Sequence, residues 1–144
     1  MPQKIVVGYD GSEGADKALD FAVDRAKAQG GSVHVAHVLE WSPYSFLTPT
    51  ELEERHKRRG EEVSRAQGAV VDPAVARVKG SGVEVDGSVK YGNIAEVLCD
   101  IAKASGAGQV VIGRTGHSAL SSRIFGSVAG TLAQVAPVPV TIVP

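Results

Sequence analysis

Apolar residues along the chain gather in five short runs, separated by turn residues and polar segments. The first and fourth runs are apolar throughout instead of alternating with polar residues, which is typical of strands buried on both faces of a sheet. The third places its valines and Tyr91 on one face at period two, although Asp86-Gly87 also suits a bulge or a turn. The five predicted strands lie in Lys4 to Ser12, Ser32 to Glu40, Val83 to Gly92, Gln109 to Gly113 and Val138 to Val143.

Helical spacing of apolar residues marks the segments between these runs. A first helix is predicted to begin after the N-cap Ser12 and to stop at Gly30-Gly31. A later helix begins at Asn93, which Glu96 follows at the spacing of a capping box. The apolar positions of the last helix, which Pro137 ends, are Val128, Leu132 and Val135.

The region between the second and third strands has a weaker pattern. Trp41 to Pro49 is an aromatic, proline-containing stretch that we expect to be a loop. From Glu51 to about Lys79 the composition is helical, but Gly60, Gly68 and Pro73 interrupt it. We therefore expect a broken or irregular helix there.

Strands that alternate with helices predict right-handed crossovers and a parallel sheet. The 144 residues are the size of one domain, so we expect a single doubly wound α/β domain over residues 1–144, with a five-stranded parallel sheet and helices on both faces. If the strand order is 3-2-1-4-5, the order reverses between the first and fourth strands, and ligands of such folds bind there, beyond the carboxyl ends. Those ends read "GYDGS" and "GRTG".

Composition and charge exclude several classes of function. The chain has 15 basic and 16 acidic side chains and a net charge of −1, which leaves no overall field to attract nucleic acid or an anionic membrane. Cys99 is the single cysteine, so an internal disulfide and a multi-cysteine metal site are excluded, and we expect it in a helix core. With no apolar run near the roughly 20 residues that span a bilayer, we expect a soluble, cytoplasmic protein.

A glycine-spaced motif follows the fourth strand: Gly113, Gly116, Gly126 and Ser127 have the spacing Gly-x2-Gly-x9-Gly-Ser. Glycines without a Cβ let the backbone turn sharply and bring N–H groups against an anion. Gly126 and Ser127 are predicted to begin the last helix, whose free N–H groups and positive dipole end favour phosphate. Together these elements predict a cradle for a polyphosphate.

The motif and its surroundings resemble the universal stress proteins of the nucleotide-binding type. The resemblance covers nearly the whole length, from "IVVGYDGSEGADKAL" to "VVIGRTGHSALSSRIFGSVAGTLAQVAPVPVTIV". It implies ATP as ligand, with Mg²⁺, a regulatory role in the stress response, and homodimers that pair through the last strand, Val138 to Val143. Two departures are Ala119, where the family loop commonly has glycine, and the segment Trp41 to Lys79, which matches nothing assignable.

The resemblance also implies roles for individual residues. Asp10, after the first strand, would contact the ribose or the divalent ion, and the backbone at Val38 would meet the adenine edge. The strand-end residues Gly8, Tyr9 and Ile112 are further candidate contacts with the nucleotide. The residues expected to hold the ribose and phosphates are Gly113, Thr115, Gly116, Gly126, Ser127 and Val128.

Several of these residues have a purely structural alternative. Asp10 could cap the first helix or stabilise its turn, and the glycines could serve the turn alone. His34 and His37 are three apart in a strand, hence on opposite faces, and cannot share a metal ion by themselves.

Three hypotheses of function remain open at this point. The first is a nucleotide-binding regulatory protein that requires no reaction. The second is a slow ATPase or phosphotransferase, although phosphoryl transfer demands a positioned nucleophile and charge stabilisation, and no Walker-type lysine is present. The third is a receiver-like domain that is phosphorylated at Asp10. Receiver-like domains need an acidic cluster around the acceptor, and only Asp10 is visible here, so this hypothesis ranks last. A dedicated enzyme is not expected, and any ATP hydrolysis should be weak.

Overall fold

A computed structural model describes residues 3–40, 48–114 and 121–144; for residues 121–127 it describes the helical backbone but not the side chains. The strands are β1 (Lys4–Gly8), β2 (Ser32–Glu40), β3 (Glu84–Gly92), β4 (Gln109–Gly113) and β5 (Val140–Val143). The helices are α1 (Glu13–Gln29), α2 (Pro49–Ala66), α3 (Asp72–Val78), α4 (Ile94–Ser105) and α5 (Ser121–Val135). None of the described helices is both long enough and apolar enough to cross a membrane.

The strands form one five-stranded sheet in the order β3-β2-β1-β4-β5, and every neighbouring pair is parallel. This confirms the predicted fold class and strand order. β1 lies at the centre of the sheet, with Gly8 opposite Ala36 of β2 on one side and Ile112 of β4 on the other. The point where strand order reverses therefore lies between β1 and β4, as expected for the order 3-2-1-4-5.

Each face of the sheet has its own apolar core. Because side chains alternate along a strand, Ile5 and Val7 of β1 lie in the core beneath α1 and α3, whereas Val6 lies in the core beneath α4 and α5. The second core also holds Cys99, which is buried on α4 as expected. We call these two sides the α1 face and the α4 face.

From Pro49 onward, the segment between β2 and β3 is a broken helix, as predicted. The expected loop Trp41 to Pro49 lies outside the described residues as far as residue 47, and Pro49 itself begins α2. α2 runs through Gly60, a π-helical turn follows at Gln67–Val71, and α3 and a 3₁₀ turn at Lys79–Ser81 complete the segment. The π-helical turn places Val71 in the core of the α1 face. A Cβ on Gly87 would lie 2.3 Å from Cγ1 of Val71, so the glycine makes room for that valine. Asp86-Gly87 is thus part of a continuous strand and not a turn.

Two predicted boundaries were wrong. α5 begins at Ser121, five residues before Gly126, so Gly126 and Ser127 lie inside the helix and do not begin it. An interior glycine costs only about 1 kcal/mol relative to alanine, and burial of Leu132 further along the helix outweighs that cost. β5 begins at Val140 and not at Val138, because Pro139 has no N–H to donate and contributes only its carbonyl, which accepts from the backbone N–H of Val110 at 2.9 Å.

Candidate functional site

A narrow recess opens at the predicted switch point, on the α4 face of the sheet. It has a volume of about 60 Å³. We call it the switch-point recess. Six of the candidate residues lie in its walls: Gly8, Tyr9, Asp10, Val38, Ile112 and Val128. The walls also include Ala36, Ile94 and Leu98, which the sequence analysis did not single out.

The floor of the recess is apolar and tightly built. Leu98 and Ile112 are fully buried, and Val128 is 9% exposed. A Cβ on Gly8 would lie 3.1 Å from Cγ2 of Ile112 and 3.1 Å from Cδ1 of Leu98. The recess therefore exists because Gly8, at the end of β1, and Ala36, its partner on β2, contribute almost no side-chain volume.

Asp10 lies at the polar rim of the recess and orders the turn that leads into α1. Its Oδ1 accepts from the backbone N–H of Ser12 at 2.9 Å and from the Ser12 hydroxyl. Ser12 Oγ in turn accepts from the backbone N–H of Ala15 at 3.1 Å and so caps α1, as predicted. Asp10 therefore stabilises the turn, which was the structural alternative to ligand contact. The same turn holds its carboxylate at the rim of the recess.

Gly113 is required by the packing of β4 against the first turn of α1. A Cβ at this position would lie 2.6 Å from the carbonyl oxygen of Gly14 and 3.3 Å from the amide nitrogen of Ala15. Backbone atoms cannot give way as a flexible side chain can. Gly113 therefore has a structural role whether or not it contacts a ligand. Its close packing against α1 keeps the carboxyl end of β4 beside the carboxyl end of β1.

Tyr9 contributes its backbone to the recess and its side chain to the opposite face. The ring is buried in the core of the α1 face, and its hydroxyl donates to Oδ1 of Asp16 at 2.6 Å. Its carbonyl oxygen lies 2.7 Å from Nδ1 of His37. Burial, followed by the hydrogen bond and the charge of Asp16, raises the pKa of the Tyr9 phenol well above its usual range.

Arg77 of α3 completes this network. Its guanidinium lies 2.9 Å from Oδ1 of Asp20 and 3.4 Å from Oδ1 of Asp16. Burial alone would lower the pKa of Arg77, but the hydrogen bond and the two carboxylates raise it. The sequence does predict which face the Tyr9 side chain occupies. Successive strand residues point to opposite faces, so Tyr9, which follows Gly8, points away from the recess.

The remaining candidates lie partly or wholly outside the described residues. Thr115 and Gly116 fall in the segment 115–120, and only the helical backbone is described for Gly126 and Ser127. Because α5 begins at Ser121, the described N–H groups left without helical partners are those of residues 121–123. A phosphate site at this helix end would therefore lie nearer Ser121 than Ser127.

The missed wall residues carried signals that could have found them. Ile94 and Leu98 lie four apart on α4, whose N-cap Asn93 accepts from the backbone N–H of Glu96 at 3.1 Å, as the capping-box spacing predicted. Ala36 lies two residues before Val38 and so on the same face of β2. Among the described residues, no group of three or more acidic, histidine or cysteine side chains could hold a metal ion.

Comparison of the chain with known proteins identifies its family. A profile described as "Universal stress protein family" matches residues 1–144. The chain belongs to the universal stress protein family. It is 30% identical over 156 residues to universal stress protein YxiE of Bacillus subtilis, with 99% of each chain covered.

Two solved structures extend the comparison within the universal stress proteins. UspA from Lactobacillus plantarum has a TM-score of 0.81 at 23% identity, with 99% of this chain and 97% of that chain covered, and so supports the fold. A universal stress protein solved in complex with cAMP has a TM-score of 0.64 at 25% identity, with 99% and 96% covered. The fold of this chain is thus the Usp fold.

Proposed function

We propose that this universal stress protein is a regulatory protein that binds an adenine nucleotide, ATP with Mg²⁺, at the switch-point recess. The observation that carries the proposal is the recess itself, in whose walls six of the candidate residues lie, at the place where parallel α/β sheets bind ligands. The relative solved with cAMP supports the class of ligand. The glycine-spaced motif after β4 supports a polyphosphate.

The described residues suit the parts of a nucleotide unequally. The apolar floor of Ala36, Leu98 and Ile112 suits a flat base, and the half-buried Val38 at its edge offers backbone groups to the rim of that base. A volume of about 60 Å³ is far below the roughly 300–1,000 Å³ of usual ligand pockets. A nucleotide would therefore extend beyond the recess, toward the segment that follows Gly113.

The donor set also suits a nucleotide-bound magnesium ion better than a resident one. Asp10 is the carboxylate that the described walls of the recess offer, and it already accepts from Ser12. Mg²⁺ is commonly held by one or two carboxylates together with phosphate oxygens and water. Asp10 would hold the ion through its carboxylate, and the ion would neutralise phosphate charge when bound.

Homodimer formation through the last strand is the second part of the proposal. β5 is an edge strand of the described sheet, and Ile142 on it is 46% exposed. An apolar groove of about 250 Å³ runs beside it. Its lining includes Leu132, Ala136, Val138, Val140 and Ile142. Exposed apolar edges pair readily with a second copy of the same chain, and sedimentation that shows only monomers at micromolar concentration would contradict this part.

The test of nucleotide binding is calorimetric titration of ATP with Mg²⁺ into protein stripped of carried-over nucleotide. Val38→Trp places a large ring on the rim of the recess, and we expect it to weaken binding at least tenfold. Gly8→Ala, which adds a Cβ to the floor, should weaken it less. Gly130→Ala is the matched control, because a Cβ there meets nothing within 4 Å.

Variants of Gly113 are unsuitable for this test, because they would disturb the packing of β4 on α1 whether or not a ligand binds. Binding by the folded wild type that is indifferent to both Val38→Trp and Gly8→Ala would place the nucleotide elsewhere. Phosphate release measured in the same samples separates binding from slow hydrolysis. Mass spectrometry for an acid-labile phosphate on Asp10 tests the receiver-like alternative.

A further inference from the structure

Three side chains that are not part of the walls of the recess form a hydrogen-bonded chain across β2 and β3. Nδ1 of His34 lies 2.7 Å from Oδ1 of Asp86, and Nε2 of His34 lies 2.9 Å from Oγ of Ser88. We call this set the His34 triad. The proposed nucleotide site uses none of these residues.

Strand register brings the triad together. His34 is paired with Asp86 and Ala36 is paired with Ser88, so that the serine lies diagonally across the ladder from the histidine. Residues two apart on a strand share a face, which places Asp86 and Ser88 on the same side of β3. The His34 side chain is 15% exposed and the Asp86 side chain 64% exposed, so the histidine is held in place while its partners remain near solvent.

The protons in this chain can be assigned from the groups themselves. An ionised Asp86 can only accept, so Nδ1 of His34 must donate to it. In a neutral imidazole the other nitrogen, Nε2, is then an acceptor, and the Ser88 hydroxyl donates to it. This order of nucleophile, base and orienting carboxylate is the one that activates serine in acyl-transfer enzymes of unrelated folds.

We infer that Ser88 is an acyl-accepting nucleophile and that small activated carboxylic esters are its class of substrate. Ser88 Oγ attacks the carbonyl carbon while its proton passes to Nε2 of His34. The tetrahedral intermediate collapses, the bond to the leaving alkoxide breaks, and His34 returns the proton to that alkoxide. Water then attacks the acyl-serine, with His34 again as base, and releases the carboxylic acid and free Ser88.

Stabilisation of the oxyanion would come from the edge position of β3. In the described sheet β3 is paired with β2 alone, so alternate backbone N–H groups of β3 point away from the ladder. Lys90, two residues beyond Ser88 on the same face, is exposed and adds a positive charge nearby. Ser88 lies in mid-strand and not on a sharp strand-to-helix turn, so we expect modest rates.

The experiment is reaction of the full chain with p-nitrophenyl acetate, followed by release of nitrophenolate and by mass spectrometric location of the acetyl group. Wild type should acetylate at Ser88. General base catalysis is worth about 10²–10⁴-fold, so His34→Gln should slow acetylation of Ser88 by at least 10²-fold. Asp86→Asn, at an exposed position, tests the orienting carboxylate with little risk to folding and should slow it as well.

Ser88→Ala should abolish the initial release of nitrophenolate that accompanies acetylation of Ser88. Ser105→Ala is the matched control: Ser105 is also half-buried, but it lies on α4 and its hydroxyl donates to the carbonyl of Ile101 at 2.7 Å and not to a histidine. Acetyl groups found elsewhere but not on Ser88, or a Ser88 rate that neither His34→Gln nor Asp86→Asn changes, would overturn the inference. Nucleotide binding is measured separately, so either proposal can fail alone.

Discussion

The two faces of the sheet use the same strands but fill their space differently. On the α1 face, Tyr9, Val35 and Val71 fill the layer above the strands, and Gly87 of β3 leaves room for the Val71 side chain. On the α4 face, β1 ends at Gly8, its partner on β2 is Ala36, and a recess remains beside these two small residues. A difference of a few side-chain volumes at neighbouring positions thus separates a closed core from a candidate binding site.

This comparison shows how the fold limits where a site can lie. The central strands must be apolar on both faces, because helices cover both. Removing side-chain volume at the carboxyl ends opens a space without exposing strand hydrogen bonds, since the ladder continues beside it. Tyr9 joins the two faces, because its backbone lines the recess while its ring is anchored to Asp16 on the other side.

Truncating one buried leucine on each face is the change with the largest expected effect. Leu19 of α1 and Leu98 of α4 are both fully buried. Buried leucine-to-alanine changes cost about 2–5 kcal/mol, depending on how far the surroundings can collapse. We expect Leu19→Ala near the upper end and Leu98→Ala near the lower end, because the recess lets its neighbours relax.

Urea denaturation of both variants, with the slope of the transition checked for equality, measures this difference. Equal losses in the free energy of unfolding would mean that the two faces are packed equally well. The recess would then not reduce the cost of truncating Leu98.

Adding a methyl group to one glycine on each face is the converse change. At Gly87 a Cβ would lie 2.3 Å from Val71 and 3.1 Å from the carbonyl oxygen of Val35, whereas at Gly8 the tightest contacts are 3.1 Å and involve side chains alone. Overpacking costs typically about 1–3 kcal/mol, so we expect that loss for Gly87→Ala and less than about 1 kcal/mol for Gly8→Ala.

Thermal unfolding of Gly8→Ala and Gly87→Ala beside Gly130→Ala, where there is open space, tests the ranking. A Gly8→Ala variant as unstable as Gly87→Ala would show that the floor of the recess is as rigid as the closed face. Its loss of nucleotide affinity could then not be interpreted.

The sequence predicted those features that depend on local pattern. The alternation of strands and helices, the caps Ser12 and Asn93, and the broken helix before β3 follow from periodicity and turn chemistry, and the structure agrees. The observed strand order also matches the order that the sequence analysis assumed, but periodicity alone does not determine it. The predicted start of α5 was wrong because the sequence analysis took Gly126 as the helix boundary. A packed helix tolerates a single interior glycine, and α5 continues through it.

Features that depend on non-local contacts could not be predicted in this way. Glycine is needed at position 113 because the backbone of Gly14, almost a hundred residues earlier in the chain, packs directly against it. The His34 triad depends on the register of β2 against β3 and on the strand being continuous through Gly87, which the sequence left open. Spacing along one strand carries no information about its partner.

Tyr9→Phe tests the link between the two faces and has the smallest expected effect. Hydrogen bonds to charged groups contribute about 1.5–3 kcal/mol, and the partly exposed Asp16 reduces this, so we expect a loss of about 1–2 kcal/mol at neutral pH. Tyr91→Phe is the control: its ring lies against Arg59, with the guanidinium carbon 5.4 Å from the ring centroid.

The pH dependence of this effect has a definite sign. Burial and Asp16 raise the pKa of Tyr9 in the folded protein, so the folded state retains the phenolic proton more strongly than the unfolded chain. The resulting stability is fully present below the ordinary tyrosine pKa of about 10 and is lost as pH rises through the higher folded value. Wild type should therefore lose its advantage over Tyr9→Phe above about pH 10 in urea titrations. An advantage that stays constant from neutral pH to pH 11 would mean that the hydroxyl does not bind Asp16, and that Tyr9 links the faces through its ring alone.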